Sequence, residues 1–503
     1  MRLVHRRRPA LRFAAEADTE GMATSVPVWL ESFRSSLKAE LVETTISWVL
    51  LTDDYAYKVK KPLSLPFLDY GSRQRRLFCC QQEIRLNSRF APDLYLDVVM
   101  IGHTGEAAVR MRRFDEASRL DRVCARRSLT AGEIRALARV IGEIHATAEV
   151  ADDDTRFGLP QLVLDQALEN FDELLPRLPD QLVRLERLAA QIRHELQQRT
   201  DQLLERKRAG HIREGHGDLH LSNFVLAGDR ITAFDCIEFN DELRWIDVSS
   251  ELAFSYIDLL ARAGSGSAAW LLNDWLSEGG DYGAIPVFRG YAAHRALVRA
   301  KACVLAGDRN SALSYLDLTE AVLSPPPARL TITFGLSGSG KTTASASLLA
   351  ADPSATTLRL RSDVERKRLF GLGERDSSAA RGLDIYTPAA DDRTYAFLAD
   401  RARLLLRAGW SVVVDAAFLA AHRRSAFRAV AHECGVEFAI LDCHAPASEL
   451  RQRVRSRRAD ASEAGQAVLD QQLAEHDELT DEELLCCIEA APQSTAAPVT
   501  CGG

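Results

Sequence analysis

The glycine-rich segment 335–342 constrains this chain more than any other part of its sequence. It reads GLSGSGKT, it follows the apolar stretch 329–335, and a helical pattern begins at Lys341. The spacing fits G-x-x-x-x-G-K-[ST], in which backbone N–H groups turn toward a phosphate and the helix N-terminus adds positive potential. The lysine of this pattern reaches the β- and γ-phosphates, and the hydroxyl after it binds Mg²⁺. The predicted ATP·Mg²⁺ site consists of Gly335, Leu336, Ser337, Gly338, Ser339, Gly340, Lys341, Thr342 and Thr343.

The sequence around this segment alternates between strand and helix patterns. Such alternation predicts a parallel sheet with helices on both faces, the α/β class of P-loop NTPases. The predicted strands are 329–335, 357–362, 410–415 and 437–443, and the predicted helices are 341–350, 363–370, 391–408 and 421–433.

Two aspartates follow strands of this predicted sheet. Asp415 ends the apolar run VVVD, and Asp363 follows the strand before it. Ligands of open parallel sheets collect at the carboxyl ends of the strands. We therefore expect Asp415 to hold Mg²⁺ through water or to accept a proton, and Asp363 to orient an acceptor hydroxyl. Asp363 also suits a helix N-cap.

Several arginines of the same region are candidates for binding phosphate. Arg366 is a candidate for contacting an anion on the acceptor. Five other arginines are candidates for a lid that neutralises the transferring phosphate. The alternative is that they form a charged, solvated helix face. The lid candidates are Arg424, Arg453, Arg455, Arg457 and Arg458.

A second constellation precedes the glycine-rich segment by more than one hundred residues. Residues 216–223 read HGDLHLSN, and Asp218 and Asn223 keep the five-residue spacing of the kinase pattern H-R-D-x-x-x-x-N. Phosphoryl transfer needs a carboxylate near the acceptor hydroxyl and oxygen ligands for Mg²⁺. We predict Asp218 as the catalytic group, Asn223 and Asp235 as Mg²⁺ ligands, and His216 as a brace of the loop. The alternative is a polar hairpin whose turn residues are Asp218 and Asn223.

A lysine on an upstream strand completes this second site. Lys58 and Lys60 fall on one face of the predicted strand 55–61, because side chains alternate along a strand. We favour Lys58 as the phosphate contact, with Lys60 left open, and Glu83 of the predicted helix 72–90 as its ion-pair partner. Exposed, solvated charges are the competing interpretation.

The two halves resemble two families of phosphotransferases. Residues 40–310 resemble the aminoglycoside-phosphotransferase-like family in HGDLHLSN, FDCIEF and RWID, which implies an α+β, bilobal, protein-kinase-like domain. Residues 329–490 resemble P-loop kinases in GLSGSGKT, RSDVERKRLFG and VVVDAAF, which implies transfer of a γ-phosphoryl group to a small acceptor. Together they resemble the bacterial bifunctional aminoglycoside phosphotransferase/ATP-binding protein family. Two departures are the missing glycine-rich loop between the first strands and the missing glycine after Asp235.

The predicted domain order follows from these motifs. A kinase-like domain over 26–323 is joined by the proline-rich linker 324–328 to a P-loop kinase-like domain over 329–490. A basic tail at 1–25 and a tail at 491–503 are predicted to be disordered, and either Met1 or Met22 can be the native start.

Composition limits the class of protein. The net charge of −8 disfavours nucleic acid as the main partner, because phosphate neutralisation needs a basic face. No apolar run approaches the roughly 18 residues of a membrane span, so we expect a cytoplasmic protein that does not enter a membrane. The ten cysteines form no C-x-x-C pair and are expected to be free thiols.

The leading functional hypothesis is an ATP- and Mg²⁺-dependent phosphotransferase with two nucleotide sites and small hydroxylated acceptors. One alternative is a regulatory protein in which the kinase-like half is silent and the P-loop half is a switch. Phosphorylation of nucleic-acid ends is another. Phosphorylation of cationic drugs would need an acidic pocket, for which the candidates are Asp241, Glu242, Glu251 and Asp258. The acceptors and the oligomeric state stay open.

Overall fold

The computed structural model describes residues 26–65, 67–374, 376–456 and 465–488. Contacts divide the chain into a first unit, Met1–Ser88 with Pro92–Arg113, and a second unit, Arg89–Ala91 with Phe114–Gly503. Both tails predicted to be disordered, and the lid candidates Arg457 and Arg458, lie outside the described residues. The second unit runs through the proline-rich segment 324–328, where the sequence predicts a domain boundary.

The first unit contains an antiparallel sheet of five strands in the order β1-β2-β3-β7-β6. Its strands β2 and β3 form a hairpin around Asp53 and Asp54, and Trp48, Leu50 and Val59 pack with Leu30 in the core of this unit. The elements are α1 (Val28–Leu37), β1 (Glu40–Glu43), β2 (Ser47–Leu51), β3 (Tyr55–Lys60), β4 (Ser64–Leu65), β5 (Leu68–Asp69), α2 (Arg73–Asn87), β6 (Tyr95–Met100) and β7 (Ala107–Arg112).

The second unit begins with a mainly helical part, which we define as residues 114–323. Two short antiparallel strand pairs, β8 with β11 and β9 with β10, interrupt the helices around the predicted catalytic loop. Its elements are α3 (Leu120–Arg126), α4 (Ala131–Thr147), α5 (Pro160–Arg177), α6 (Leu182–Gln198), α7 (Thr200–Arg208), β8 (Ile212–Glu214), β9 (Phe224–Ala227), β10 (Arg230–Ala233), α8 (Asp241–Arg244), β11 (Trp245–Asp247), α9 (Val248–Ala263), α10 (Ser265–Gly279), α11 (Ile285–Leu305) and α12 (Arg309–Leu323).

The same unit continues with the P-loop part, residues 329–488. Its five strands are parallel and lie in the order β13-β14-β12-β15-β16, which confirms the predicted α/β class. The elements are β12 (Arg329–Phe334), α13 (Lys341–Ala351), β13 (Thr357–Arg361), α14 (Ser362–Leu369), α15 (Pro388–Arg407), β14 (Ser411–Asp415), α16 (Ala421–Cys434), β15 (Glu437–Asp442), α17 (Ala447–Ser456), α18 (Gln466–Ala474), α19 (Asp481–Leu484) and β16 (Cys487–Ile488).

Buried polar contacts join the helical part to the P-loop part. Asn273 on α10 donates from Nδ2 to the carbonyl oxygen of Thr357 and accepts at Oδ1 from the backbone N–H of Arg359. The Asn273 amide thereby satisfies backbone groups of β13, an edge strand that would otherwise expose them. Phe288 on α11 packs edge-on against Trp410 at 5.9 Å between ring centroids. One hydrophobic core therefore runs through both parts.

Tyr282 makes another buried polar contact between the helical part and the P-loop part, and we expect its substitution to lower stability. Its Oη donates to Glu365 Oε1 at 2.7 Å, and both residues are buried. Tyr282→Phe leaves a buried carboxylate oxygen without this donor, so we expect the free energy of unfolding to fall by about 2 kcal/mol in urea titrations. Tyr291→Phe is the matched control, because the buried Tyr291 hydroxyl has no hydrogen-bond partner within the described residues. Equal losses in both variants would contradict the prediction.

Within the described residues, no helix is long and apolar enough to cross a membrane. The cytoplasmic location stays a prediction.

Candidate functional site

The glycine-rich loop joins β12 to α13, as its sequence predicts. A Cβ atom at Gly335 would lie 2.3 Å from the carbonyl oxygen of Cys443, and Gly340 has φ +93°, so both positions favour glycine. The Lys341 ammonium donates to the carbonyl oxygens of Gly335 and Leu336 at 2.9 and 2.8 Å. The loop therefore holds its lysine over its own backbone.

A cavity of about 1090 Å³ opens above this loop, and we call it the P-loop cavity. It is lined by Ser337, Gly338, Ser339, Gly340, Lys341, Thr342 and Thr343 of the loop and by the predicted Asp363 and Asp415. Gly335 and Leu336 are not among the lining residues and contribute their carbonyl oxygens to Lys341. The structure thus gathers both aspartates and most of the loop around one space.

Asp415 is the last residue of β14 and is buried. Its Oδ2 accepts a hydrogen bond from Ser345 Oγ at 3.1 Å. Ser345 lies outside the loop pattern, so the motif does not predict it. Its spacing could have indicated it, because Ser345 lies one helical turn after Lys341 and so on the same side of α13.

Asp363 lies inside the first turn of α14, because the helix begins at Ser362. The capping position belongs to Arg361, which makes no side-chain cap hydrogen bond. The additional prediction that Asp363 caps this helix is therefore wrong, and a carboxylate in the first turn still interacts favourably with the helix dipole.

The lid role does not fit Arg424. Its side chain is fully buried, and its Nε and Nη2 donate to Glu483 at 2.7 and 3.0 Å. Arg453 does line the P-loop cavity and donates from Nη1 to the carbonyl oxygen of Gly338 at 3.2 Å. Gln472, which the sequence analysis does not single out, accepts from the Ser337 N–H at 2.8 Å.

The predicted catalytic loop of the helical part is held by buried groups. Glu251 on α9 accepts at Oε1 from the N–H groups of His216 and Gly217, both at 2.6 Å. His216 contacts the Phe234 carbonyl oxygen through Nε2 at 2.8 Å, and burial lowers its pKa. A neutral imidazole with its proton on Nε2 accounts for this bond and lets Nδ1 accept from the Asp218 N–H. His216 therefore braces the loop.

Asp218 and Asn223 lie side by side in this loop. Asn223 Nδ2 donates to the Asp218 carbonyl oxygen at 2.8 Å and to Asp218 Oδ2 at 3.0 Å. His220 Nε2 lies 3.3 Å from the same carboxylate oxygen. Burial raises the pKa of Asp218, but the charge and hydrogen bond of His220 outweigh it and hold that pKa below its usual range. Asp218 is therefore a carboxylate at neutral pH.

Asp235 lies two residues after the end of β10, the strand that pairs with β9. The N–H of its neighbour Phe234 donates to the Asn223 carbonyl oxygen at 2.9 Å. Asp235 is therefore the next residue after one that is hydrogen-bonded to Asn223. Asp235 has φ +66°, a left-handed conformation uncommon outside glycine. Such backbone conformations concentrate at functional sites, where the surrounding structure holds them.

The oxygen donors of this loop fit Mg²⁺. The Asn223 amide directs its nitrogen to Asp218, so its oxygen points the other way, and Asp235 adds a carboxylate. Among the described residues, no three or more His, Cys, Asp or Glu are grouped to hold a metal ion by themselves. Mg²⁺ at kinase sites is bound by one or two carboxylates together with substrate phosphates.

Lys58, Lys60 and Glu83 meet within the first unit. Glu83 Oε1 lies 3.0 Å from Lys58 Nζ, and Glu83 Oε2 lies 2.7 Å from Lys60 Nζ. Burial raises the Glu83 pKa, but the two lysine charges outweigh it and lower that pKa to about 2. Lys60 is fully buried and also contacts the Tyr70 hydroxyl, whereas Lys58 keeps 14% of its side chain exposed. Of the two, Lys58 is the one that a ligand can reach.

The acidic pocket considered for cationic drugs does not form from its four candidates. Glu251 holds the catalytic loop, and Asp258 accepts from the Leu221 N–H at 3.0 Å and from the Tyr315 hydroxyl at 2.7 Å. Asp241 is paired with Arg244, and Glu242 with Arg156. Glu251 and Asp258 are therefore buried in structural contacts, whereas Asp241 and Glu242 form ion pairs at the surface.

Two protein-family models match separate stretches of the chain. Residues 97–297 match the model of the phosphotransferase enzyme family, and residues 330–479 match the model of the AAA domain. Uncharacterised proteins of Mycobacterium tuberculosis and Mycobacterium bovis are each 28% identical over 467 residues, covering 88% of this chain and 90% of theirs.

Three solved structures are similar in part. An aminoglycoside phosphotransferase in complex with GDP and kanamycin is 15% identical, with 56% of this chain and 92% of that chain covered and a TM-score of 0.36. A choline/ethanolamine kinase family protein from Mesorhizobium loti is 12% identical, with 59% and 96% covered and a TM-score of 0.39. The APS kinase of Mycobacterium tuberculosis, in complex with AMPPNP and APS, is 24% identical, with 26% and 71% covered and a TM-score of 0.22. The two family models thus match successive stretches of this chain, in the order that its motifs predict.

Proposed function

We propose that this protein is an ATP- and Mg²⁺-dependent phosphotransferase with two nucleotide sites and two small hydroxylated acceptors. The observation that carries the proposal is the presence of two assembled constellations in one chain. Asp218 and Asn223 are in direct contact in one of them, and Lys341 and Asp415 line a single cavity in the other. Each constellation offers a carboxylate for the acceptor and groups for the phosphates, which phosphoryl transfer requires.

In the kinase-like half, Asp218 orients the acceptor. The acceptor oxygen forms a bond to the γ-phosphorus, and the bond from that phosphorus to the β–γ bridging oxygen breaks, leaving its electron pair on ADP. The acceptor proton passes to Asp218 or to water. Because the Asp218 pKa lies below its usual range, this carboxylate accepts a hydrogen bond well and removes a proton weakly. Its main contribution is therefore orientation.

In the P-loop half, Lys341 and the loop N–H groups bind the nucleotide phosphates. Asp363 orients the acceptor hydroxyl, and Asp415, fixed by Ser345, accepts its proton or would hold Mg²⁺ through water. The same bonds form and break as in the kinase-like half. Bound Mg²⁺ would neutralise phosphate charge at both sites, held by Asn223 and Asp235 in one and by Thr342 in the other.

Lys58 is the proposed phosphate contact from the first unit. Glu83 holds its ammonium, and the second lysine of the trio, Lys60, is engaged with Tyr70. This Lys–Glu pair resembles the arrangement that positions the α- and β-phosphates in kinases.

Counting nucleotide sites tests the proposal. Equilibrium dialysis of the intact protein with labelled AMP-PNP and Mg²⁺ should give two bound nucleotides per chain. Incubation with γ-labelled ATP and fractionated small-molecule acceptors should then move label to hydroxyl compounds. A single bound nucleotide, or two without any transfer of label, would contradict the two-site enzyme.

The regulatory alternative has one observation in its favour. Strands β2 and β3 join through Asp53 and Asp54 without a glycine-rich loop, so the usual cover of the nucleotide phosphates is missing there. Under this alternative the kinase-like half binds or gates without turnover, and only the P-loop half transfers phosphate. Two bound nucleotides with turnover confined to the P-loop half would favour it.

A further inference from the structure

One wall of the P-loop cavity carries two arginines that share a single carboxylate. Arg366 on α14 and Arg423 on α16, which we call the arginine pair, both contact Asp391 on α15. We propose that the acceptor of the P-loop half carries an anionic group, a phosphate, sulfate or carboxylate, that binds to this pair. The inference rests on the proposed function of the P-loop half and specifies its substrate class.

Arg366 is buried yet incompletely hydrogen-bonded. Only 5% of the residue is exposed, and it lines the cavity. Nη1 donates to the Ile385 carbonyl oxygen at 3.0 Å, and Nη2 lies 2.6 Å from Asp391 Oδ1. Its buried Nε has no hydrogen-bond partner among the described residues. A buried donor without a partner costs free energy, and a bound anion would supply an acceptor once the guanidinium shifts toward the cavity.

Arg423 is held over an aromatic ring. Its guanidinium carbon lies 4.0 Å from the centre of the Tyr395 ring, which fixes the plane of the group. Its contacts with carboxylates are long, 3.5 Å to Asp391 Oδ2 and 3.3 Å to Asp392 Oδ1. Asp392 is 76% exposed, so water screens its charge. Asp391 therefore carries most of the compensation for two positive charges, and the pair keeps an excess of positive charge.

The arginine pair lies next to the group proposed to orient the acceptor. Arg366 follows Asp363 by three residues on α14, so the two side chains lie on one face of the helix, and both line the cavity. Arg361, another arginine of this wall, is already paired with Glu374 at 2.5 Å. One small acceptor could therefore place its hydroxyl group at Asp363 and its anionic group at the arginine pair. Planar guanidinium groups suit phosphate, sulfate and carboxylate because they donate two parallel hydrogen bonds.

Calorimetric titration of the intact protein tests this inference. The protein is first saturated with Mg²⁺ and AMP-PNP, so that the glycine-rich loop is occupied. Sodium sulfate is then compared with sodium chloride at equal ionic strength, and glycerol 3-phosphate and gluconate are compared with glycerol and glucose. We expect sulfate and at least one anionic compound to bind, with affinity at least tenfold above that of the neutral partner.

Substitutions locate the binding. Arg366→Gln and Arg423→Gln should each weaken sulfate binding at least tenfold, and Arg423→Gln decides the question if Arg366→Gln does not fold. Asp391→Asn should strengthen sulfate binding, because the competing carboxylate is removed. A purely structural role for the arginines gives no such gain.

Arg428→Gln is the matched control. Arg428 lies on α16 like Arg423, is paired with the exposed Glu482 and does not line the cavity.

The outcomes separate the inference from the function beneath it. Absence of sulfate binding, equal affinity for neutral and anionic compounds, or binding unchanged by both glutamine variants would overturn the inference while AMP-PNP binding keeps the proposed function. Failure of AMP-PNP to bind the P-loop half overturns both.

Discussion

Lys341→Ala is expected to lower ATP turnover at the P-loop half at least a hundredfold. The ammonium is the one charge that the loop itself offers to the phosphates, and it is held in place by the carbonyl oxygens of Gly335 and Leu336. Removing one preorganised donor from a transition state that carries charge costs about 10²–10³ in rate. ADP release from ATP, measured with and without acceptors, checks the expectation.

Arg428→Gln serves as the control for this variant as well. It removes one positive charge from the same P-loop part at an exposed position, so its turnover should equal that of the unmodified protein. Turnover at the P-loop half that survives Lys341→Ala would show that the glycine-rich loop does not carry the chemistry.

Asp218→Asn is expected to lower turnover by the kinase-like half by about 10²–10⁴. The asparagine keeps the size of the side chain and the contact with Asn223 but removes the charge that orients the acceptor hydroxyl. The effect is clearest in the Lys341→Ala background, where the remaining turnover belongs to the kinase-like half.

Asp229→Asn is the matched control for this second variant, since Asp229 is exposed at the turn between β9 and β10. If Lys341→Ala removes all turnover and Asp218→Asn removes none, the kinase-like half is silent and the regulatory alternative replaces our proposal. Separate, additive losses would establish two working sites.

The parts of both sites that could be predicted are those encoded by neighbouring residues. The loop at Lys341 and the spacing of Asp218 and Asn223 are short patterns, and the backbone places their members together whatever the rest of the chain does. The parallel sheet followed from the alternation of strand and helix patterns for the same reason.

The supporting residues could not be predicted, because their partners are distant in sequence. Glu251 binds N–H groups 34 and 35 residues before it, and Ser345 meets Asp415 across 70 residues. Arg424 illustrates the converse error: an arginine in a charged segment suggested a lid, yet Glu483, 59 residues later, buries it. A sequence pattern reports the residue type at such positions and not the partner that decides its role.

The arginine pair falls between these cases. Arg366 was recognisable as an anion candidate, but Arg423 and the carboxylate that both share come from two other helices. The packing of these three helices brings Arg366, Arg423 and Asp391 together, and no local sequence pattern specifies that packing.

The buried contacts of Asn273, Tyr282 and Phe288 have a consequence for how such a protein can be divided or inherited. Cutting the chain at the proline-rich segment 324–328 would expose the residues that the helical part and the P-loop part bury against each other. Helix α14 makes the dependence specific, since Glu365 contacts Tyr282 while Asp363 and Arg366 of the same helix line the P-loop cavity. A gene split at this segment would need new surface residues on both products, so the fusion, once formed, is expected to be inherited whole.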